Sequence, residues 1–211
     1  MTLSKGASFL PSCIVAVTGA SGAVYGIRLI EELLKRGFEV DLVASPSGVL
    51  LLKEEMDCNL GGKDPGKEMM TFLEGRPSGG GLKGRLRHYP ATDLMAPIAS
   101  GSPERKRMAI CPCSMGTLAR VASGISGNLI ERAADCVLKE RGLLVLVPRE
   151  TPLNAIHLEN MLRVCRAGAI VLPAMPGFYS KPRTIDDLVD FVVGKTLDAL
   201  DIEHELFERW K

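Results

Sequence analysis

The sequence lacks any apolar run approaching the ~18 residues that a membrane span needs, and a transmembrane helix is not expected. It has almost no net charge, with 26 Lys and Arg against 25 Asp and Glu, which argues against broad electrostatic binding to nucleic acid. An anionic ligand must therefore be met by a local pocket. Aromatic residues are scarce, with one tryptophan and three tyrosines, and there are only three histidines. The six cysteines contain no C-x-x-C pair and do not gather with histidine, so reduced, mostly buried thiols are expected, and no metal site. The first twelve residues, MTLSKGASFLPS, hold too short an apolar stretch for a secretory signal, and a cytoplasmic location is expected. What is present suits one domain. Apolar residues make up 46% and charged residues 24% of 211, and a chain of this size buries roughly 70% of its unfolded surface without covalent staples.

Short β-branched runs alternate with longer segments of helical period, which predicts an α/β fold: a Rossmann-like, doubly wound parallel sheet with helices on both faces. Cys13–Val17 reads as a buried strand, Val24–Arg36 as a helix stopped at Gly37, and Phe38–Ala44 as a second strand. Ser45–Gly48 reads as a turn before a helix over Val49–Met56. Residues 61–84 hold many glycines and prolines without a sustained period, and a flexible insertion is expected there. Strands are expected at Arg107–Cys111, Leu143–Val147 and Ala169–Leu172. Helices are expected at Ser114–Ser123, Asn128–Arg141 and Asn154–Ala167, and Thr184 to Asp187 opens a last helix as a capping box. The sum is a single domain over residues 1–211 with five or six strands.

In such a sheet ligands sit at the carboxyl ends of the strands, which directs attention to the loops that follow them. After the first strand, Thr18-Gly19-Ala20-Ser21-Gly22-Ala23 combines glycines with a hydroxyl at a helix start; it suits a plain turn, a nucleotide phosphate or a flavin ring. Binding of NAD fits poorly. The second strand ends at Ser45 rather than an acid, and no Tyr-x-x-x-Lys pair exists. Ser114 and Thr117 place two hydroxyls at another helix start, where they either cap the helix or meet an anion. Arg149 and Glu150 follow the strand ending at Val147, and Tyr179 lies in an apolar, Pro/Gly-broken loop. Arg132 and Lys139, seven apart on one helix, share a face.

Longer stretches are more specific: TGASGAVYG at 18–26, APIASGS at 96–102, PCSMGT at 112–117, NLIERAADCVLKER at 128–141, LVLVPRETPL at 144–153, PGFY at 176–179 and LFERW at 206–210. Together these resemble the UbiX family of flavin prenyltransferases, a branch of the flavoproteins that also contain cysteine decarboxylases, from about Ile14 to Trp210. The resemblance implies transfer of a dimethylallyl group from dimethylallyl phosphate to N5 and C6 of reduced FMN, without a metal. The product, prenylated FMN, would serve a UbiD-type decarboxylase, as in ubiquinone biosynthesis, and the enzyme would be a homo-oligomer, a dodecamer.

Carried over by motif, the resemblance assigns FMN to Gly19, Ala20, Ser21, Ser45, Ser114, Met115, Gly116, Thr117 and Arg149. It assigns the prenyl donor to Tyr179, Lys195, Arg132, Lys139 and Trp210, and proton handling and reaction to Glu55, Ser21 and Glu150. Lys195 stands where relatives often carry Arg, and Ser45-Pro46-Ser47-Gly48 where many continue with Ala-Ala. Two other readings share the flavin loops. A decarboxylase of cysteine-containing substrates would use an early histidine, but His88, His157 and His204 fall in no such motif. An FMN carrier would have no use for Glu55, Tyr179 and the cations.

Overall fold

The computed structural model describes residues 10–101 and 106–209. Six parallel strands form one sheet: β1 (Ser12–Val17), β2 (Glu39–Ala44), β3 (Arg85–Pro90), β4 (Arg107–Cys113), β5 (Leu143–Pro148) and β6 (Ile170–Val171), in the spatial order β3-β2-β1-β4-β5-β6. Seven helices cover it: α1 (Ala23–Lys35), α2 (Pro46–Met56), α3 (Pro65–Glu74), α4 (Met115–Ala122), α5 (Leu129–Lys139), α6 (Ala155–Arg166) and α7 (Ile185–Ala199). The double winding is visible residue by residue. Cys13, Val15 and Val17 of β1 join the core beneath α1 and α7, whereas Ile14 and Ala16 join the core beneath α4, α5 and α6. β5 divides the same way, Val145 and Val147 from Leu144 and Leu146. Side chains that alternate across a strand while both faces are covered explain why these strands read as unbroken apolar runs.

Chain order reverses between β1 and β4, so the carboxyl ends of those two strands flank the crevice where such sheets take ligands. Thr18, fully buried, fastens the two edges of this crevice. Its hydroxyl donates to the Pro112 carbonyl at 2.9 Å and accepts from the Ser114 amide at 2.8 Å. Gly26 lets α1 lie against β4, since a Cβ there would come within 2.3 Å of the Cys111 carbonyl oxygen.

Three expectations are corrected. Ser45–Gly48 is not a turn outside a helix: Ser45 is the N-cap of α2, accepting from the Gly48 amide at 3.0 Å, and Pro46 occupies the first helical position. Residues 61–84 are not one irregular loop. Asp64 caps α3, whose Met69 and Leu73 are fully buried, and Arg76 and Ser78 both bond the fully buried Glu31 carboxylate. The segment is thereby tied to α1 by an ion pair and an apolar face. Finally, β3 is a strand where none is expected between the irregular segment and Arg107; its residues RLRHYP are half-buried or exposed, as an edge strand allows. The capping box of Thr184 and Asp187 is present.

Candidate active site

Three helices begin around the crevice, and each N-terminus is furnished differently. α1 has no side-chain cap of its own, because Gly22 in the left-handed region (φ 109°) holds that place, and no acid lies in its first turn. Glu55, projecting from the last turn of α2, supplies the missing acceptor. Its Oε2 receives the amides of Gly22 and Ala23, both at 2.8 Å. Partial burial alone would raise the pKa of this carboxyl, but the bonds from Ala23, Gly22 and the Ser21 hydroxyl, with the Arg149 charge, hold it below the ordinary carboxylate range. Glu55 is ionised at neutral pH, beside Ser21. Arg149 closes the group by donating from Nε to the Ser21 carbonyl at 3.0 Å.

The opening turn of α2 presents Ser45 and the exposed Ser47 opposite the first loop. Gly19 sits so close that a Cβ would fall 2.5 Å from Ser47 Cβ, so loop and helix approach this closely only because residue 19 has no side chain. At α4, Ser114 accepts from the Thr117 amide at 3.2 Å and donates to the Thr117 hydroxyl at 3.0 Å, so two hydroxyls stand at the helix start. Met115 and Thr117 are buried and Gly116 is exposed. The neighbouring Cys113 is no nucleophile, since burial pushes its thiol up to about 12. Two hydroxyl-lined helix starts and a third capped by a carboxylate thus surround the crevice, and a helix start with free amides is suited to an anion.

Beside it, between the loops after β5 and β6, lies a cavity of about 240 Å³ lined by Arg149, Glu150, Leu153, Met161, Ala174 and Met175, among others. Its lining is apolar apart from Arg149, Glu150 and Thr151. Arg149 and Glu150 do not turn to each other; Arg149 reaches Ser21 and Glu150 accepts from the Thr151 amide at 3.1 Å. Leu153, Met161 and Met175 were not singled out as lining residues, because an apolar residue in a loop or on a helix face looks the same whether it lines a cavity or fills a core.

The expected phosphate-binding cluster is not assembled within one chain. Tyr179 meets the ring of Phe191 edge-on at 5.5 Å, and Lys195 lies over the same ring, both against α7 on the α1 side of the sheet. Arg132 and Lys139 lie on α5, which packs on the opposite face. Arg132 donates to the Ala99 carbonyl at 3.1 Å and pairs with Asp135, while Lys139 pairs with Glu140. The helix carrying Lys139 ends where β5 begins, whereas Arg149 follows the end of that strand, roughly 20 Å away along six residues. Spacing put Arg132 and Lys139 on one face correctly; it did not tell which face of the sheet or which end. Trp210 lies outside the described residues.

Residues 7–197 match the profile of the family named Flavoprotein. The chain is 53% identical over 196 residues to the flavin prenyltransferase UbiX of Halalkalibacterium halodurans, covering 93% of this chain and 91% of that protein. Its fold superposes with a TM-score of 0.83 on a crystal structure of AnUbiX (PadA1) in complex with FMN and dimethylallyl pyrophosphate, at 39% identity and over 96% of this chain and 98% of that one. It superposes with a TM-score of 0.80 on a dodecameric FMN-dependent UbiX-like decarboxylase from Escherichia coli O157:H7, at 37% identity and over 95% and 99% of the two chains.

Proposed function

The chain belongs to the flavoprotein family, in its UbiX-type flavin prenyltransferase branch, and from that membership we propose that it transfers a dimethylallyl group from dimethylallyl phosphate to N5 and C6 of reduced FMN. The observation that carries this reading is the ionised Glu55, bonded to Ser21 and to the first amides of α1 beside Arg149, at the crevice between two hydroxyl-lined helix starts. Gly19, Ala20, Ser21, Ser45, Ser114 to Thr117 and Arg149 would hold FMN there. When bound in its reduced form, FMN supplies the electron-rich N5 and C6.

The protein's own groups then have distinct tasks. The apolar cavity behind Arg149 and Glu150 is smaller than the roughly 300–1,000 Å³ of drug-sized ligand sites, which suits a five-carbon group. As the carbon–oxygen bond of the donor breaks, its electron pair leaves with phosphate, and negative charge grows where cations must stand. Lys195, Arg132 and Lys139 supply that charge, and the Tyr179 hydroxyl a hydrogen bond. Because Tyr179 with Lys195 and Arg132 with Lys139 occupy opposite faces of one sheet, the cluster is completed between copies of the chain in a homo-oligomer, a dodecamer as in the Escherichia coli relative. Across the whole reaction N5 and C6 each lose a proton and the prenyl chain gains one. Glu55 accepts and returns protons through Ser21.

The three histidines give no support to decarboxylation of a cysteine-containing substrate. His88 is on the edge strand, His157 caps α6 and His204 is buried beneath the C-terminal segment. The product is taken up by a UbiD-type decarboxylase, and the work is done in the cytoplasm; among the described residues no helix is long and apolar enough to cross a membrane.

A turnover count tests the reading. With reduced FMN in excess, dimethylallyl phosphate and no added metal, more than one phosphate per chain is expected to be released, and none with oxidised FMN. No phosphate release, with at most one flavin equivalent delivered per site, would identify a carrier instead.

A further inference from the structure

After α7 the chain reverses at Asp201, which adopts φ 56°, and residues 203–209 run back along the helix as a strap. Its anchors are polar. Arg36 donates to the Glu203 carbonyl at 2.9 Å, Arg209 pairs with Asp198 at 2.7 Å, and His204, its side chain fully buried, accepts from the Leu206 amide through Nδ1 at 3.1 Å. That bond leaves the hydrogen of neutral His204 on Nε2, which faces Asp198 at 3.2 Å.

The anchored strap delivers one aromatic side chain. Phe207 packs on Phe191 with ring centres 5.0 Å apart, and Phe191 in turn takes the edge of Tyr179. Lys195 Nζ lies 5.2 Å from the Phe207 ring centre and 5.8 Å from that of Phe191, held between two rings. Two glycines make room. A Cβ on Gly194 would come within 2.5 Å of Phe207 and 2.6 Å of His204, and one on Gly177 within 2.8 Å of Phe191.

We propose that Phe207 is a positioning residue for prenyl transfer: the strap holds its ring against Lys195 and Phe191, fixing the ammonium group and the Tyr179 hydroxyl at one spacing for the donor phosphate. The inference rests on the reading that Tyr179 and Lys195 receive that phosphate. A lysine head on a four-carbon stem loses much rotamer freedom when it binds, and it lacks the rigid fork that arginine brings. Two aromatic faces restore that order in advance, and they attract the cation while leaving its hydrogens free to point outward.

The test compares F207A, F207Y, G194A and K195A in the full-length oligomer, each measured for donor KM, kcat, FMN Kd and Tm. F207A is expected to raise donor KM about three- to tenfold with FMN Kd within twofold of the parent, and F207Y to restore it. G194A removes no group yet displaces Phe207, and it is expected to raise donor KM likewise. If K195A raises donor KM while F207A and G194A leave it unchanged, the positioning role is wrong and the assignment of Lys195 stands. If K195A itself leaves donor KM unchanged, the assignment fails and the positioning role fails with it.

Discussion

Replacing Glu55 by Gln is expected to slow flavin prenylation by about 10²–10³-fold while leaving FMN affinity within a few-fold of the parent. The two amides of Gly22 and Ala23 converge on a single oxygen, Oε2, and the amide oxygen of Gln accepts the same pair. The α1 start therefore stays capped, and the loop that would carry FMN keeps its shape. What disappears is the charge and with it the ability to take up a proton. The pH profile carries the same signature. Glu55 is held below the ordinary carboxylate range, so its contribution to folding and its basic form are both present above the unfolded value and are lost as pH falls through the folded one. The acid limb due to Glu55 should accordingly lie below about pH 4.3, the ordinary glutamate value, and neutral buffer should find the group fully ionised. Anaerobic rate measurements across pH, paired with FMN fluorescence titration of the variant, check this. A variant that prenylates at the parent rate would remove Glu55 from the chemistry.

Gly48→Ala is expected to destabilise the fold by about 2 kcal/mol or more, lowering Tm by roughly 4–8 °C, and to cost most of the activity. Ordinarily Ala is the better helix former by up to about 1 kcal/mol, so the substitution would be stabilising if α2 stood free. It does not. A Cβ at residue 48 would lie 2.3 Å from the Val17 carbonyl oxygen and 2.9 Å from its carbon, and Val17 is pinned where it is, accepting from the Ser45 amide at 2.9 Å as β1 pairs with β2. The helix, rather than the strand, must yield. Because Glu55 rides the last turn of that helix, its reach to Gly22 and Ala23 is lost by the same shift. Thermal unfolding and prenylation rate should therefore fall together, which distinguishes this variant from Glu55→Gln, where stability at neutral pH changes far less.

How much of this was legible in the sequence depends on what each residue had to reveal. The central strands announced themselves because Val15, Val145 and their neighbours are buried on both faces and leave no polar residue to interrupt the run. The cap was equally plain: Thr184 with Asp187 is found where side-chain chemistry places it. Ser45-Pro46-Ser47-Gly48 misled because the residues of a tight turn are also those of an N-cap followed by a proline at the first helical position. β3 and α3 escaped for a different reason. An edge strand such as Arg85–Pro90 needs no apolar run, and a ten-residue helix that buries only Met69 and Leu73 has too little periodicity to rise above its glycines.

The loops proposed to hold FMN were readable as local chemistry, since Ser21, Ser114 and Arg149 lie within a few residues of the strands that position them. The phosphate cluster was not. Nothing in the spacing of Arg132, Lys139, Tyr179 and Lys195 states that a sheet runs between the first two and the last two; that follows only from which face each helix covers. Phe207 gave no local signal either, because its role depends on a chain reversal that brings residues 203–209 back across Gly194.

The most direct test of the account is the mass of the flavin itself. Full-length protein would be incubated anaerobically with reduced FMN and dimethylallyl phosphate, without metal, and the flavin released and weighed by mass spectrometry. Gain of one C5H8 is the expected result, and it should depend on both protein and donor. Flavin recovered unchanged, with the diphosphate and longer prenyl donors equally inert, would contradict the account.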